Sequence, residues 1–367
     1  MHFGEPLADE RLAALLRPGD GIDTVITADV YGSGEADLAL GRSLRGSDRD
    51  GYCLIGAVGH DFYTGEREGA KGFPRFTDAR LRDRDGYASY IRMATERSLE
   101  RCDVEHYDLL LLHNPDHTGY NSPAVWDAME AVRAAGLTRL IGVAPGPANG
   151  FTLDLIGCLE RFGALIDWAM IILNPLEPWP GELALAAAEA NGVDVIARVV
   201  DYGGVFHDDV RPGHAFPAHD HRRFRPDGWV QAAAERIELM RPYAERHDLT
   251  MLQLACAWDL AQPAVRCVAP TLIQEAGADA RPIEDKRAEL AAVDAAFGSV
   301  LSAEELAGIR AIGENTGCMV LKGANAEHDG PPVADRWALD GELAAVAERW
   351  GIDPRDDLAA RELSGAN

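Results

Sequence analysis

The stretch that decides the fold is Thr24-Val25-Ile26-Thr27-Ala28-Asp29-Val30-Tyr31-Gly32-Ser33-Gly34-Glu35. Its first half is apolar and is typical of a buried strand. The glycines of Gly32-Ser33-Gly34 then favour a turn, and a helical pattern begins at Glu35. The stretch therefore predicts a strand that opens through a glycine-rich turn into a helix.

The same alternation of apolar runs and helical patterns continues along most of the chain. Candidate strands cover residues 21–27, 52–58, 107–112, 140–143, 169–173, 193–200 and 265–269, with a remnant strand at 1–4. Candidate amphipathic helices cover 87–101, 122–135, 152–162, 181–191 and 228–247. Eight strands alternating with helices predict a (β/α)8 TIM barrel. A doubly wound sheet is the second interpretation, although no G-x-G-x-x-G follows the first strand.

Two connections and a C-terminal extension exceed what a bare barrel needs. The connections cover residues 59–85 and 201–226, and both are rich in aromatic residues and histidines. Loops longer than about 12–15 residues are usually functional or disordered, so we expect binding residues in both. We expect the barrel to occupy residues 1–311 and the extension, residues 312–367, to pack on the barrel or over its mouth.

Composition excludes several classes of partner. The chain has 60 acidic and 35 basic residues, a net charge of −25 that repels nucleic acid and anionic membranes. No apolar run approaches the ~18 residues of a membrane span, and the N-terminus does not resemble a signal peptide. The six cysteines are scattered singly and predict reduced core thiols. We therefore expect a cytoplasmic protein with a small-molecule substrate, and the oligomeric state stays open.

Three phrases together resemble the aldo-keto reductases. The opening stretch resembles the family's strand-and-turn signature, in which an Asp, two small residues and two variable positions precede Tyr-Gly. The phrase Tyr107-Asp108-Leu109-Leu110-Leu111-Leu112-His113-Asn114-Pro115-Asp116 resembles its fourth strand, and Gly136-Leu137-Thr138-Arg139-Leu140-Ile141-Gly142-Val143 resembles the helix-to-strand phrase that follows. The resemblance implies a barrel in which Tyr31 protonates a carbonyl while NADPH delivers hydride, beside the active-site His113.

The resemblance is incomplete at the catalytic tetrad. Ile26 stands at the position of the family's Asp, and Ala57 stands at the position of its Lys. A phenol with a pKa near ~10 is a poor acid-base partner at neutral pH unless a cation or hydrogen bond lowers that pKa. Tyr31 therefore needs another positive group.

The family's cofactor contacts also differ in this sequence. Ala144-Pro145 replaces a Ser-Asn pair, Met170 replaces a Gln, and Arg198 replaces an aromatic residue that stacks on nicotinamide. We therefore expect no cofactor to be favoured. If NADP binds, the residues expected to contact it are Thr271 and Arg281.

Polar residues at the strand ends are the remaining candidates for the site. Arg198 lies inside an apolar strand, where a charge is costly unless it is paired, so a partner such as Asp201, Tyr31 or an anionic substrate is implied. The expected catalytic residues are Tyr31, His113, Arg198 and Asp201. The expected substrate-binding residues are Asp29, His60, Asn114, Asn174, Glu177 and His207. Loop residues of this kind are otherwise solvated surface groups.

The connection after the seventh strand raises the question of a metal site. It contains His207, Asp208, Asp209, His214, His219 and His221. Their spacings match no standard zinc pattern. We therefore expect solvated loop residues and no metal.

Because the tetrad and the nicotinamide contacts are replaced, the residues favour non-redox acid-base chemistry on a small polar carbonyl or sugar-like compound. Elimination, hydration or isomerisation next to a carbonyl would fit this expectation. One alternative is an NADPH-dependent aldo-keto reductase with non-standard cofactor contacts. The other is a non-catalytic binding protein on the same fold.

Overall fold

The computed structural model describes residues 3–19, 21–69, 72–146, 150–277, 279–313, 321–333 and 335–359. One sheet holds seven strands in chain order: β1 Thr24–Ile26, β2 Cys53–Val58, β3 Tyr107–His113, β4 Thr138–Ala144, β5 Trp168–Ile172, β6 Asp194–Arg198 and β7 Val265–Ala269. Every neighbouring pair is parallel. The order follows the chain without the reversal that a doubly wound sheet requires. The fold is a (β/α)8 barrel, and the doubly wound interpretation is wrong.

Helices connect the strands and cover the outside of the sheet. They are α1 Asp9–Leu16, α2 Glu35–Leu44, α3 Tyr87–Cys102, α4 His117–Asn121, α5 Pro123–Ala134, α6 Thr152–Phe162, α7 Leu185–Ala190, α8 Trp229–Arg246, α9 Met251–Leu260, α10 Ile283–Ala291, α11 Ala303–Gly313 and α12 Gly341–Trp350. Local sequence explains several helix starts: Pro123 opens α5, and Thr250 and Gln253 form a capping box before α9. Each predicted helix and each predicted strand after residue 20 overlaps an observed element.

The remnant strand expected at residues 1–4 is not observed. Met1 and His2 lie outside the described residues, and Phe3 and Gly4 are not in a strand. Gly4 has a φ of 58°, a left-handed conformation that interrupts extended backbone. The segment is held instead by a hydrogen bond of 2.8 Å from the Glu5 N–H to the Gln274 carbonyl.

Side chains of the sheet alternate between two apolar cores, and this alternation positions the site. Leu110 faces the outer core beneath the helices, whereas Leu111 and Ile196 pack inside the barrel. Residues two apart on a strand share a face. His113 therefore follows Leu111, and Arg198 follows Ile196, on the inner face at the carboxyl ends of their strands. The mouth of a barrel at these ends is where enzymes of this fold place their chemistry.

The C-terminal extension contacts both the flank of the barrel and its mouth loops. Its strands β8 Gly323–Asn325 and β9 Arg336–Ala338 form a parallel pair. The helix α12 lies on α6, where Arg349 pairs with Glu160 at 2.6 Å. The ring of Trp337 lies 5.0 Å from that of His117, in the connection after β3. Because α11 ends at Gly313, the expected boundary between residues 311 and 312 falls inside a helix, and the division into two parts stays a prediction.

Two expectations from composition concern the chain as a whole. Cys53, Cys102, Cys158, Cys256 and Cys267 are free thiols, and Cys318 lies outside the described residues. Among the described helices, none combines the length and the apolar character needed to cross a bilayer. The expected cytoplasmic location stays a prediction.

Candidate active site at the barrel mouth

Tyr31 and His113 are neighbours at the mouth of the barrel, as the sequence predicts. Their rings meet edge to face with centroids 5.7 Å apart. Tyr31 follows β1 in a short turn, in which its N–H donates to the Ala28 carbonyl at 2.9 Å. The left-handed φ of 60° at Gly32 lets this turn lead directly toward α2. The structure thus brings the two rings together, and their catalytic roles stay predictions.

His60 is the second histidine of this group, with its ring centroid 5.1 Å from that of His113. Its Nδ1 lies 3.0 Å from the Phe73 carbonyl oxygen, which can only accept a hydrogen bond. Its Nε2 lies 3.1 Å from the amide nitrogen of Asn114 and so accepts. These contacts define a neutral ring with the proton on Nδ1. Burial and the Arg75 charge lower the pKa of His60 to about 3.

His113 is also neutral. Burial is the main cause that holds its pKa well below the usual value. The neighbouring side chains of His60, Arg198 and Arg75 lower this pKa further. Its Nδ1 is buried and has no hydrogen-bond partner among the described residues. A buried polar atom without a partner is rare in folded proteins. The mouth therefore presents a neutral imidazole with an unused polar atom.

Arg75 reaches the mouth from the long connection after β2, and sequence reasoning missed it. A bridge between His60 and Arg75 folds this connection back on itself. The Arg75 Nε donates to the Asn114 carbonyl, which the φ of 47° at Asn114 turns toward it. The Arg75 Nη1 lies 3.3 Å from the His60 Nδ1, but that atom already carries a proton and offers no acceptor. The only sequence signal for this residue is its place in a loop predicted to bind.

Arg198 projects into the mouth from the end of β6. Its Nη2 donates to the Pro145 carbonyl at 2.9 Å, and its Nε is buried without a hydrogen-bond partner in the described part of the chain. Burial lowers the pKa of Arg198, whereas Tyr31, Glu177 and Tyr120 raise it. Glu177 is itself buried. Arg198 thus faces Tyr31, as expected, and acts on it electrostatically.

Asp201, one of the three partners that the sequence implied for Arg198, does not pair with it. Asp201 is fully buried, and its two oxygens accept hydrogen bonds from the Thr271 N–H at 2.7 Å and the Gly204 N–H at 2.9 Å. The carboxylate therefore joins the loops that follow β6 and β7. Sequence proximity suggested an ion pair, but the backbone leaves the strand with a φ of 62° at Val199 and redirects the next residues.

Three of the expected substrate-binding residues serve other contacts. Both ends of the Asn174 amide form hydrogen bonds with the backbone. The NH2 group donates to the Val199 carbonyl, and the oxygen accepts from the Leu176 N–H, each at 3.0 Å. The His207 Nε2 lies 3.0 Å from the Thr271 carbonyl. Both side chains therefore order loops around the mouth.

Asp29 is the third of these residues, and it faces the helical layer. Ala28 packs inside the barrel, so the next side chain points outward. Burial raises the pKa of Asp29 well above its usual value, and the charge of Asp37 raises it further. Asp37 in turn pairs with Arg101 at 3.0 Å. Of the six expected substrate-binding residues, only His60, Asn114 and Glu177 belong to the mouth group.

The acidic and histidine residues of the connection after β6 turn to separate partners. Pairs form between Asp208 and Arg241 at 3.0 Å, between Asp209 and Lys286 at 2.6 Å, and between His214 and Glu275 at 3.2 Å. Within the described ranges, no three His, Cys, Asp or Glu side chains converge as a metal site would require. The organising residue is Arg222, which is buried between Asp220 at 2.7 Å and Glu275 at 2.6 Å. No motif in the sequence indicated it.

The positions that the resemblance assigns to the cofactor have contacts within the protein. The hydrogen bond from Arg198 to the Pro145 carbonyl joins the ends of β6 and β4, where the resemblance implies contacts to nicotinamide. The Arg281 guanidinium pairs with Glu289 at 2.5 Å and donates to the His207 carbonyl at 2.8 Å. The Thr271 N–H is bound to Asp201. A dinucleotide at this mouth would therefore be held by contacts other than those expected of Thr271 and Arg281.

Two curated relatives carry names that describe redox enzymes. A 6-dehydroglucose reductase of Agrobacterium fabrum is 30% identical over 125 residues, which are 34% of this chain and 39% of that relative. A D-threo-aldose 1-dehydrogenase of a Pseudomonas species is 24% identical over 277 residues, which are 71% of this chain and 78% of that relative. These names do not support the expected preference for elimination, hydration or isomerisation.

Solved structures and a family model agree on the fold. A glycerol dehydrogenase from Gluconobacter oxydans covers 90% of this chain and 90% of its own, with 19% identity and a TM-score of 0.59. An aldo/keto reductase from Klebsiella pneumoniae, solved with NADP and acetate, covers 84% of this chain and 87% of its own, with 22% identity and a TM-score of 0.54. The expected absence of a cofactor has no support from that complex. The Aldo/keto reductase family model matches residues 5–314. The chain therefore belongs to the aldo/keto reductase family.

Proposed function

We propose that the protein is an oxidoreductase that interconverts a carbonyl and an alcohol on a small, polar, sugar-like substrate. A nicotinamide dinucleotide would supply or accept the hydride, and Tyr31 would exchange the proton with the substrate oxygen. The observation that carries the proposal is the retained pair of Tyr31 and His113 at the mouth, with ring centroids 5.7 Å apart. The names of the two relatives support the redox direction and the sugar-like class.

Tyr31 is suited to act as the acid. Burial raises its pKa, and the charge of Arg198 lowers that pKa in part. The phenol therefore stays protonated at neutral pH and has a proton to give to an oxygen that becomes negative. Arg198 supplies the positive charge that the family places on a Lys, whose position is taken here by Ala57. Preorganised positive charge of this kind stabilises a developing alkoxide.

The neutral histidines complete the substrate side. Because His113 and His60 carry no charge, the net field at the mouth comes from Arg75 and Arg198. The His113 Nδ1 lacks a partner in the described residues and is available for a substrate hydroxyl. In this proposal His113 orients the substrate oxygen beside Tyr31.

A second candidate is proton transfer next to a carbonyl without a redox step. One observation favours it: the Arg198 hydrogen bond to Pro145 occupies the strand ends at which the family resemblance places nicotinamide contacts. Arg198 would then stabilise an enolate-like oxygen, and Tyr31 would protonate it. A non-catalytic binding role, the third expectation, gives no reason for a buried phenol beside an unpaired guanidinium.

Cofactor titration followed by turnover separates these candidates. Purified protein is titrated with NADPH and NADH by calorimetry and then assayed for carbonyl reduction on a panel of aldoses and ketoses. We expect saturable binding and turnover that Tyr31→Phe lowers by about 10²-fold or more, because the proton donor is lost. No binding of either dinucleotide would overturn the oxidoreductase proposal and leave the non-redox candidate.

The variant His113→Gln tests the same pair of residues independently of Tyr31→Phe. Glutamine keeps a polar group near Tyr31 without an imidazole, so turnover is expected to fall while the thermal melt stays close to that of the wild type. Unchanged turnover in both Tyr31→Phe and His113→Gln would place the reaction elsewhere on the protein.

A further inference from the structure

Two guanidinium groups at the mouth, those of Arg75 and Arg198, form no ion pair with the residues that the structure describes. The ion pairs formed among the described residues involve many arginines, but neither Arg75 nor Arg198 takes part in one. Both residues are half-buried, the Arg198 Nε is buried, and burial lowers the pKa of each guanidinium. Withdrawing a cation from water without a counter-ion costs free energy. These two charges therefore call for an anion.

The nearest carboxylates act on these arginines only through space. Asp116 and Asp335 raise the pKa of Arg75, and Glu177 raises that of Arg198. Asp116 is otherwise engaged, since one of its oxygens accepts hydrogen bonds from the Thr77 hydroxyl and the Gly119 N–H, each at 2.8 Å. The charge of the two guanidiniums is thus only partly balanced by the protein.

Unused polar atoms lie around the same position. The Tyr120 hydroxyl, the His113 Nδ1 and the Arg198 Nε are all buried and have no hydrogen-bond partner among the described residues. Arg75 donates to the carbonyl of Asn114, which follows His113, and Arg198 donates to the carbonyl of Pro145, which follows Ala144. Because His113 and Ala144 are paired in the sheet, the two charges lie at the same strand ends as the His113 Nδ1. Both charges also act electrostatically on His113 and Tyr120. The Tyr120 phenol and the two guanidiniums form a set that can donate to a single oxyanion group, beside the His113 imidazole that faces the reacting oxygen.

We propose that Arg75 and Arg198 together bind an anionic group of the substrate, a carboxylate or a phosphate. The inference rests on the proposed function, since it names the chemical class of the substrate of that same site. It makes the substrate an acidic sugar derivative: a sugar acid or a sugar phosphate. Because the chain carries a net charge of −25, long-range attraction does not draw anions to the protein. The selectivity comes from the local contacts.

Equilibrium binding of small anions tests this without turnover. Acetate and inorganic phosphate are titrated into the protein by calorimetry, with glycerol as the uncharged probe and no dinucleotide present. We expect at least one anion to bind and glycerol not to. Arg75→Met and Arg198→Met are each expected to weaken the anion by about 10- to 100-fold, the value of one or two charge-assisted hydrogen bonds. Binding of acetate alone assigns a carboxylate, and binding of phosphate alone assigns a phosphate ester.

Matched controls separate this site from general charge effects. Arg67 lies exposed in the same connection as Arg75, and Arg266 lies on β7 near Asp194, at the opposite end of the strands from the mouth. Arg67→Met and Arg266→Met are expected to leave anion affinity unchanged. Equal losses in these controls, or no binding of either anion by the wild type, would overturn the inference.

Two further measurements keep the test decisive if a methionine variant fails to fold. Arg75→Lys retains the charge but loses the planar fork, and we expect it to bind the anion between wild type and Arg75→Met. For the wild type alone, raising NaCl from about 50 mM to about 500 mM should weaken anion binding. Salt-independent binding would contradict a charge-based site. Since no cofactor is used, failure of the dinucleotide titration leaves this result interpretable.

Discussion

Acidification should destabilise the protein through His60, because the folded state holds this ring neutral. The folded pKa is about 3 against an ordinary value of 6.5, so the unfolded chain takes up the proton first as the pH falls. The contribution of His60 to stability is therefore fully present above pH 6.5 and is lost progressively below it, down to the folded pKa. Between pH 8 and pH 5 this linkage removes about 2 kcal/mol from the free energy of unfolding.

His60→Asn removes the titration while keeping a donor for the Phe73 carbonyl. The variant loses the contact with Asn114 and should be less stable than the wild type at pH 8 by about 1 kcal/mol, the value of one hydrogen bond. At pH 5 the variant should be the more stable of the two by a similar amount, because only the wild type loses free energy of unfolding through protonation of His60. Urea unfolding at several pH values measures both free energies and the crossing.

If the His60→Asn curve runs parallel to that of the wild type between pH 8 and pH 5, the neutral ring and the charge arrangement of the mouth built on it are refuted.

Two further predictions concern the loops that support the mouth. Arg222→Met leaves Asp220 and Glu275 buried without their cation, and urea unfolding should show a fall of about 3–5 kcal/mol in the free energy of unfolding. Arg223→Met, at the exposed neighbouring residue, should change this free energy little. Similar losses in both variants would contradict a buried ion cluster. The Asp201 carboxylate accepts hydrogen bonds from two backbone N–H groups, and Asp201→Asn turns an amide NH2 toward one of them. The free energy of unfolding, measured by thermal denaturation, should therefore fall by about 1–3 kcal/mol. A melt unchanged from the wild type would show that Asp201 does not join the two loops.

The proximity of Tyr31 and His113 followed from local sequence. Each residue comes directly after an apolar run, and parallel strands end at the same face of a barrel. The period of two along β3 and β6 then sets which side chains face inward, so His113 and Arg198 could be assigned to the mouth before their contacts were known. The pairing of Arg198 with Asp201 failed because a left-handed residue between them changes the direction of the chain.

Arg75 shows what local patterns do not contain. It becomes part of the mouth only because a long connection folds back and places it beside His60, and no periodicity describes such a path. Tyr120 is similar, because its burial depends on helices and loops from distant parts of the chain. The strand expected at residues 1–4 is not observed at Phe3 and Gly4, because Gly4 adopts a left-handed conformation that interrupts extended backbone.

The order of most strands and helices and the inward-facing ends of the strands can be read from local sequence, because they follow from periodicities of two and 3.6 residues along the chain. The pairing of charges depends on the fold. Ion pairs and hydrogen bonds join residues that are far apart in sequence, such as Arg222 with Glu275 and Asp201 with Thr271. For the same reason, only the fold shows that Arg75 and Arg198 form no ion pair with the described residues, since a missing partner is a property of the surrounding space.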